Sequence, residues 1–492
     1  MGVQTLSRRR VLKGAALGAA GAALAACGAT PTPQVIEKAV TQVVEKEVTR
    51  VVEGTPQVIK ETVVVESIVT ATPAPAVKAH VIAVTTGDGK DLTEALKPFT
   101  DSHPNIEVEV IGVAWDGYDE KVDLLIASGD PPALWWGAAK RGFRYYADKG
   151  MFPDIGPLIE RDNYPVDDFY KAAYDFLKWE GKQIGFPSTQ KLSVIFYNKT
   201  LFDKAGVPVP PATWDDASWT WDAFLAAAQK LTVADKDPLK ATWGTGGAFD
   251  TRHFAWIFGG DYFDEQGYAT GKPDKTIVNS PEVIDGLQFM HDLIYKYHVQ
   301  PTPAEGQIIN SAGVDLFLSG KVGMLFNATW AFPTYGEIKD FEWGIAPVPG
   351  GKKVRKTLLW ANAWNMFKDQ KFPDAAWEVL KYMSSTDGMR SWMFKVPGNR
   401  GSAVPARSGL SDEWVTVAEQ VTKLSANMLK DVIVTGIDKY GKITSSLAIV
   451  KFAEINDVAI TPNLDNVFLD KTTPKEAVAA MEAKINEILA AK

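Results

Sequence analysis

An α/β fold built on a parallel sheet is the class this sequence predicts, and three observations over residues 80–137 predict it. The runs H-V-I-A-V-T-T (80–86) and A-L-W-W-G (133–137) are continuously apolar, as strands covered on both faces are. Between them, N-I-E-V-E-V-I (105–111) alternates, with Ile106, Val108 and Val110 on one face. Helical patterns at 92–103 and 118–127 separate the three. Strands joined through helices run parallel, with helices packed on both faces of the sheet.

Each element has its local reason. G-D-G (87–89) is the turn after the first strand, and Asp91 with Glu94 three residues on has capping-box spacing. Pro104 ends the first helix, and S-G-D-P-P (128–132) ends the second, which carries Val122, Leu125 and Ile126. Ligands of such a sheet sit outside the carboxyl ends of its strands. Those ends carry Asp88, Trp115, Trp135 and Trp136.

At 492 residues the chain is too long for one ordinary core, so two or more domains are expected. A hydrophobic fraction of 46% with 23% charged residues belongs to a soluble globular protein. The sixteen Trp and fourteen Tyr exceed what a core needs, and large amphipathic rings often line a ligand cleft. A formal charge of −8 offers no basic excess for phosphates, so nucleic acid is not an expected partner. The five His are scattered without ligand spacing, and neither a metal nor another cofactor is expected.

The single cysteine, Cys27, sets the compartment. S-R-R-R-V-L-K (7–13) is a basic n-region, and 14–26 hold only Gly, Ala and Leu, too short for a permanent span. Arg8-Arg9 followed by Leu12-Lys13 resembles a bacterial twin-arginine export signal, with Val11 where Phe is usual. L-A-A-C (24–27) resembles a lipobox, which implies cleavage before Cys27 and acylation of its thiol. Cleavage would remove four of the 52 basic residues, leaving 48 against 60 acidic ones and a net charge of −12. The expected location is extracytoplasmic, on the outer face of the membrane or in the periplasm. Residues 27–77 repeat T-P-Q-V-I at 32–36 and 55–59, alternate Val with polar residues and lack aromatics. With no core to accompany them, they read as an extended tether, and no sustained heptad supports a coiled coil.

From about residue 78 to the end, six motifs in order resemble the extracellular solute-binding proteins of the maltose-binding type. They are A-S-G-D-P-P-A-L-W-W (127–136, Ala133 replacing the usual Asp) and G-K-Q-I-G-F-P with V-I-F-Y-N-K-T-L-F (181–187, 194–202). A-G-V-P-V-P-P-A-T-W-D-D (205–216) and G-K-V-G-M-L-F-N-A-T-W (320–330) follow. F-P-D-A-A-W-E-V-L-K-Y-M-S-S (372–385) and N-L-D-N-V-F-L-D-K-T-T-P-K-E-A-V (463–478) complete the set. The resemblance implies a two-lobe, type II periplasmic-binding-protein fold with the ligand cleft between its lobes. By that reading lobe 1 is 78–187 plus 354–400 and lobe 2 is 188–353 plus 401–492. It implies a monomer that captures a small-molecule solute, a mono- or oligosaccharide, and delivers it to the permease subunits of an ABC importer.

The cleft candidates follow from the chemistry of a pyranose, whose C–H faces suit indoles and whose hydroxyl rim suits polar side chains. Trp330 has loop context and family position together. Trp136, nearer its strand end than Trp135, joins Trp115 and Trp360. Asn362 beside Trp360, and Gln190 and Lys191 at a family contact position, supply polar groups. Lys191 fits either an anionic ligand group or plain solvation. Asp88 and Phe249, with Arg252 nearby, complete the candidates. Two other classes compete: a binder of a phosphorylated polyol, polyamine or peptide, and a secreted glycosidase. The glycosidase would need two carboxylates facing one bond, and no pair stands in such a setting, so no enzymatic activity is expected.

Overall fold

The computed structural model describes residues 37–52, 55–70, 78–137, 141–246, 254–350 and 354–491. The chain divides into two compact units, 1–77 and 78–492.

In the first unit, β1 (Glu37–Val52) and β2 (Thr55–Thr70) form a two-stranded antiparallel hairpin, in register from Glu37 opposite Thr70 to Val52 opposite Thr55. The stretch read as an extended tether therefore pairs with itself. Its Val-Thr-Ile content suits a pleated ladder, and the register sets Lys46 opposite Glu61 and Glu47 opposite Lys60.

The second unit opens with the anticipated alternation: β3 (Ala79–Thr86), α1 (Lys90–Ser102), β4 (Ile106–Val113), α2 (Tyr118–Ala127) and β5 (Leu134–Trp136). β3 lies between β4 and β5, parallel to both. Helix α1 begins one residue before the expected cap. Gly89, at φ 79°, takes the N-cap position, and no side chain caps the helix. The left-handed turn that only glycine adopts cheaply sets the start, leaving Asp91 inside the first turn.

Beyond a small hairpin of β6 (Lys178–Trp179) and β7 (Lys182–Gln183) comes the strand that organises the unit, β8 (Phe186–Asn198). β9 (Trp243–Gly246), β10 (Val322–Ala328), β11 (Trp343–Ala346), β12 (Thr357–Asn365), β13 (Val404–Pro405) and β14 (Gly441–Ile443) complete the set. The main path of the sheet runs β4-β3-β5-β12-β8-β10-β9. Residues 186–192 of β8 pair antiparallel with β12, whereas 193–197 pair with β10 and 195–198 with β11. One strand thus serves two halves of the sheet, exchanging partners between Leu192 and Ser193. β13 pairs with β8 and β14 with β12, so the C-terminal segment returns to the same junction.

Trp135 and Trp136 obey the strand's alternation and enter different apolar clusters. Trp135 is fully buried against Tyr146, Phe152 and Phe367. A buried cation, Arg407, 2% exposed, ties three segments together. It donates to the Ser384 carbonyl at 2.7 Å and to the Tyr164 hydroxyl and Pro165 carbonyl at 3.1 Å each. It pairs with Asp168 and lies 4.0 Å over the Phe169 ring.

Candidate functional site

Four of the expected residues converge where β8 exchanges partners. Lys191 on β8 stands directly opposite Trp360 on β12, so both side chains leave the same face of the sheet. The Lys191 ammonium lies 5.2 Å from the centre of the Trp136 ring. Trp330 meets the Trp360 ring edge-on, with centroids 5.7 Å apart and planes at 74°. The scaffolds differ. Trp136 comes from β5, which pairs with β12 in one half of the sheet, and Trp330 from the turn Thr329–Ala331 just after β10 in the other.

Exposure divides the tryptophans by role. Trp330 is 42% exposed, Trp360 part-buried and Trp136 only 9% exposed, its carbonyl held by the Tyr118 hydroxyl at 3.2 Å. The arrangement is a floor, a wall and a free ring. Lys191 is part-buried, and desolvation lowers its ammonium from the usual 10.5 to about 8.

The remaining candidates take other places. Asn362 lies two residues from Trp360 on the same face, buried, donating to the Thr189 hydroxyl at 3.1 Å and leaving its Oδ1 without a partner. Gln190 points to the opposite face from its neighbour Lys191, flanked by Ala361 and Val404, with Nε2 buried and unpartnered. Trp115, 44% exposed in the turn after β4, makes no ring contact with the four among the described residues. Asp88 is committed within its own turn: its carboxylate accepts from the Lys90 backbone at 3.1 Å and pairs with the Lys90 ammonium at 2.7 Å. That partner holds Asp88 below the usual carboxylate range. Phe249 and Arg252 lie outside the described residues, as does Cys27.

Sequence reasoning passed over two groups. Asp119, in the first turn of α2, is buried and accepts from the Arg141 backbone at 3.2 Å, while its Oδ1 has no partner. Burial raises its pKa to about 6. Lys442 on β14 lies opposite Leu358, two residues from Trp360, and is paired with Asp261 between the rings of Trp256 and Tyr268. Neither carried a signal in the sequence, because both owe their setting to residues far along the chain. Among the described residues no group of three or more His, Cys, Asp or Glu could hold a metal, and no helix is long and apolar enough to cross a membrane.

Apolar ring faces beside an ammonium and a buried amide are groups that can hold a ligand by stacking and hydrogen bonding. Residues 83–390 match the family model described as bacterial extracellular solute-binding protein. A binding protein of Brucella abortus is 24% identical over 424 residues, covering 82% of this chain and 90% of its own. The arabinooligosaccharide-binding protein of Bacillus subtilis is 26% identical over 316 residues, 62% of this chain and 65% of its own. An ABC substrate-binding protein of Listeria monocytogenes, solved with cycloalternan, superposes with a TM-score of 0.69 at 26% identity. That match covers 84% of this chain and all of that one. A maltose-bound Thermotoga maritima protein superposes at 0.65 with 20% identity, over 83% of this chain and all of its own. The fold is the two-lobe, maltose-binding type, and this chain belongs to the bacterial extracellular solute-binding protein family.

Proposed function

We propose that this protein captures a mono- or oligosaccharide outside the cytoplasm and hands it, chemically unchanged, to an ABC importer. The observation that carries the reading is the convergence of Trp330 and Trp136, from opposite halves of the sheet, on the Lys191–Trp360 pair. Indoles present apolar faces of the size of a pyranose ring, and ligands that touch both lobes favour their closure. Lobe 1 takes 78–187 with 354–400 and lobe 2 takes 188–353 with 401–492. The arabinooligosaccharide- and cycloalternan-binding relatives support a carbohydrate ligand. A thermal-shift screen of the mature protein against mono- and oligosaccharides tests this directly, because a ligand that binds only the folded state raises the melting temperature. At a hundredfold excess over Kd the gain is about 2.7 kcal/mol. The bound sugar is expected back intact after prolonged incubation. Steady release of shorter sugars would favour a glycosidase instead.

The protein works as a monomer and is held at the outer face of the cell membrane through Cys27. The lone position of Cys27 behind L-A-A supports the anchor. Cys27→Ser is expected to abolish acylation, leaving unprocessed or released protein in fractionated cells. A variant that is cut to mature size and still sediments with membranes would sink the anchor.

A further inference from the structure

Two lysines leave the same face of the β12 neighbourhood, and the structure treats them differently. Lys442, opposite Leu358, has its counter-charge in Asp261. Lys191, opposite Trp360, has none: among the described residues it makes no ion pair and no side-chain hydrogen bond, only its contact with the Trp136 ring. Among the described residues, the strands packed against it bring no other ionisable group to it. β8 places Thr189 and Ser193 two residues to either side, β12 offers Leu358, Trp360 and Asn362, and β5 offers Trp136. Trp330 closes the far side of Trp360.

An ammonium has three donors and accepts nothing, so a desolvated one beside indoles lacks both charge balance and acceptors. An aromatic face compensates in part through its quadrupole. An anion brought from outside would complete the compensation, and the low local dielectric makes that pairing stronger than it would be in water. One cation on an aromatic floor suits a single negative charge. A phosphate dianion needs more donors than one ammonium supplies, such as guanidinium forks or helix N-termini beside it.

We infer that the saccharide this protein prefers carries a carboxylate, as a uronic acid does, and that Lys191 is the residue that selects it by pairing with that carboxylate above the Trp136 ring. The inference rests on the saccharide reading above and adds the class of sugar.

The test uses the mature protein, Lys191→Met and Lys191→Arg, titrated calorimetrically with matched probes that differ only in the C6 group. Galactobiose against digalacturonate is one pair, and the gluco and manno equivalents are the others. In at least one pair the acidic member is expected to bind the wild type about tenfold tighter or more. Lys191→Met is expected to lose at least about tenfold for the acid and under about threefold for the neutral sugar, with Lys191→Arg recovering part of the loss. Affinity for the acid should fall as pH rises through about 8, where the ligand-free ammonium gives up its proton, while the neutral sugar shows no such fall. Ligand-free Lys191→Met should melt no lower than wild type, since a desolvated charge without a counter-ion has gone, which serves as the folding control. The sign agrees with linkage. The unfolded chain keeps this proton to about 10.5 and the folded one to about 8, so wild-type stability attributable to Lys191 rises with pH between those values.

Preference for the neutral member in every pair overturns the inference and leaves the saccharide reading standing. So does an equal loss for acid and neutral sugars in Lys191→Met, or an acid preference that survives it. Failure of every saccharide, acidic or neutral, to bind overturns both.

Discussion

Trp330→Ala is expected to weaken saccharide binding by roughly 1–3 kcal/mol, about 5- to 150-fold in Kd, with little change in the ligand-free melting temperature. The two halves of that expectation come from one number. At 42% exposure, Trp330 gives the free protein little burial to lose. Its edge-on contact with Trp360, at 5.7 Å, contributes about 0.5–1.5 kcal/mol as aromatic pairs do. The open face is where a sugar ring would bury further area, so the larger loss falls on binding. Trp135 makes the contrast. It is fully buried among aromatic neighbours, and Trp135→Ala belongs to the class of core truncations that lose about 3–5 kcal/mol of stability. Calorimetric titration beside a thermal melt separates the cases. Undiminished affinity in a well-folded Trp330→Ala variant removes this ring from the site.

Arg407→Ala is expected to lose about 3–5 kcal/mol of stability, the range for breaking a buried, hydrogen-bonded charge network from one side. The guanidinium is 2% exposed and joins the Ser384 and Pro165 carbonyls, the Tyr164 hydroxyl and Asp168. Removing it strands the Ser384 carbonyl in the interior and empties the space over the Phe169 ring. Spread over a unit of this size, that loss lowers the melting temperature by about 3–6 °C. Asp168→Asn should be milder, because the Asp168 side chain is 44% exposed and water can satisfy it. A melting temperature unchanged within about 1 °C in Arg407→Ala would show that the network contributes nothing net.

The alternation β3-α1-β4-α2-β5 was readable because every cue lies within a few residues of what it specifies. Apolar runs, a Pro at 104 and Gly-rich turns act through neighbouring peptide units. The one local misreading, Asp91 as the cap of α1, came from the same range: a left-handed Gly89 starts the helix earlier than a capping box at 91–94 would. In residues 37–70 the period-two pattern was visible, but pairing needs a partner strand, and composition alone argued for solvation. The structure supplies that partner in the repeat itself.

The site divides along the same line. Indole and ammonium chemistry follow from residue type, and the alternation of Trp135 and Trp136 follows from the strand. Which neighbours surround them does not. Lys191 faces Trp360 across 169 positions of chain, and it meets Trp136 because β5 and β8 flank the same β12. Asp88, by contrast, is claimed by Lys90 two residues away. For this protein the sequence determined the alternation of strands and helices that opens the second unit and the kinds of side chain available to hold a solute. Only the tertiary structure decided that Lys442 would have a counter-ion and that Lys191 would have none among the described residues. Charge balance in an interior depends on who is packed within a few ångströms, and sheet pairing between distant segments is what sets that.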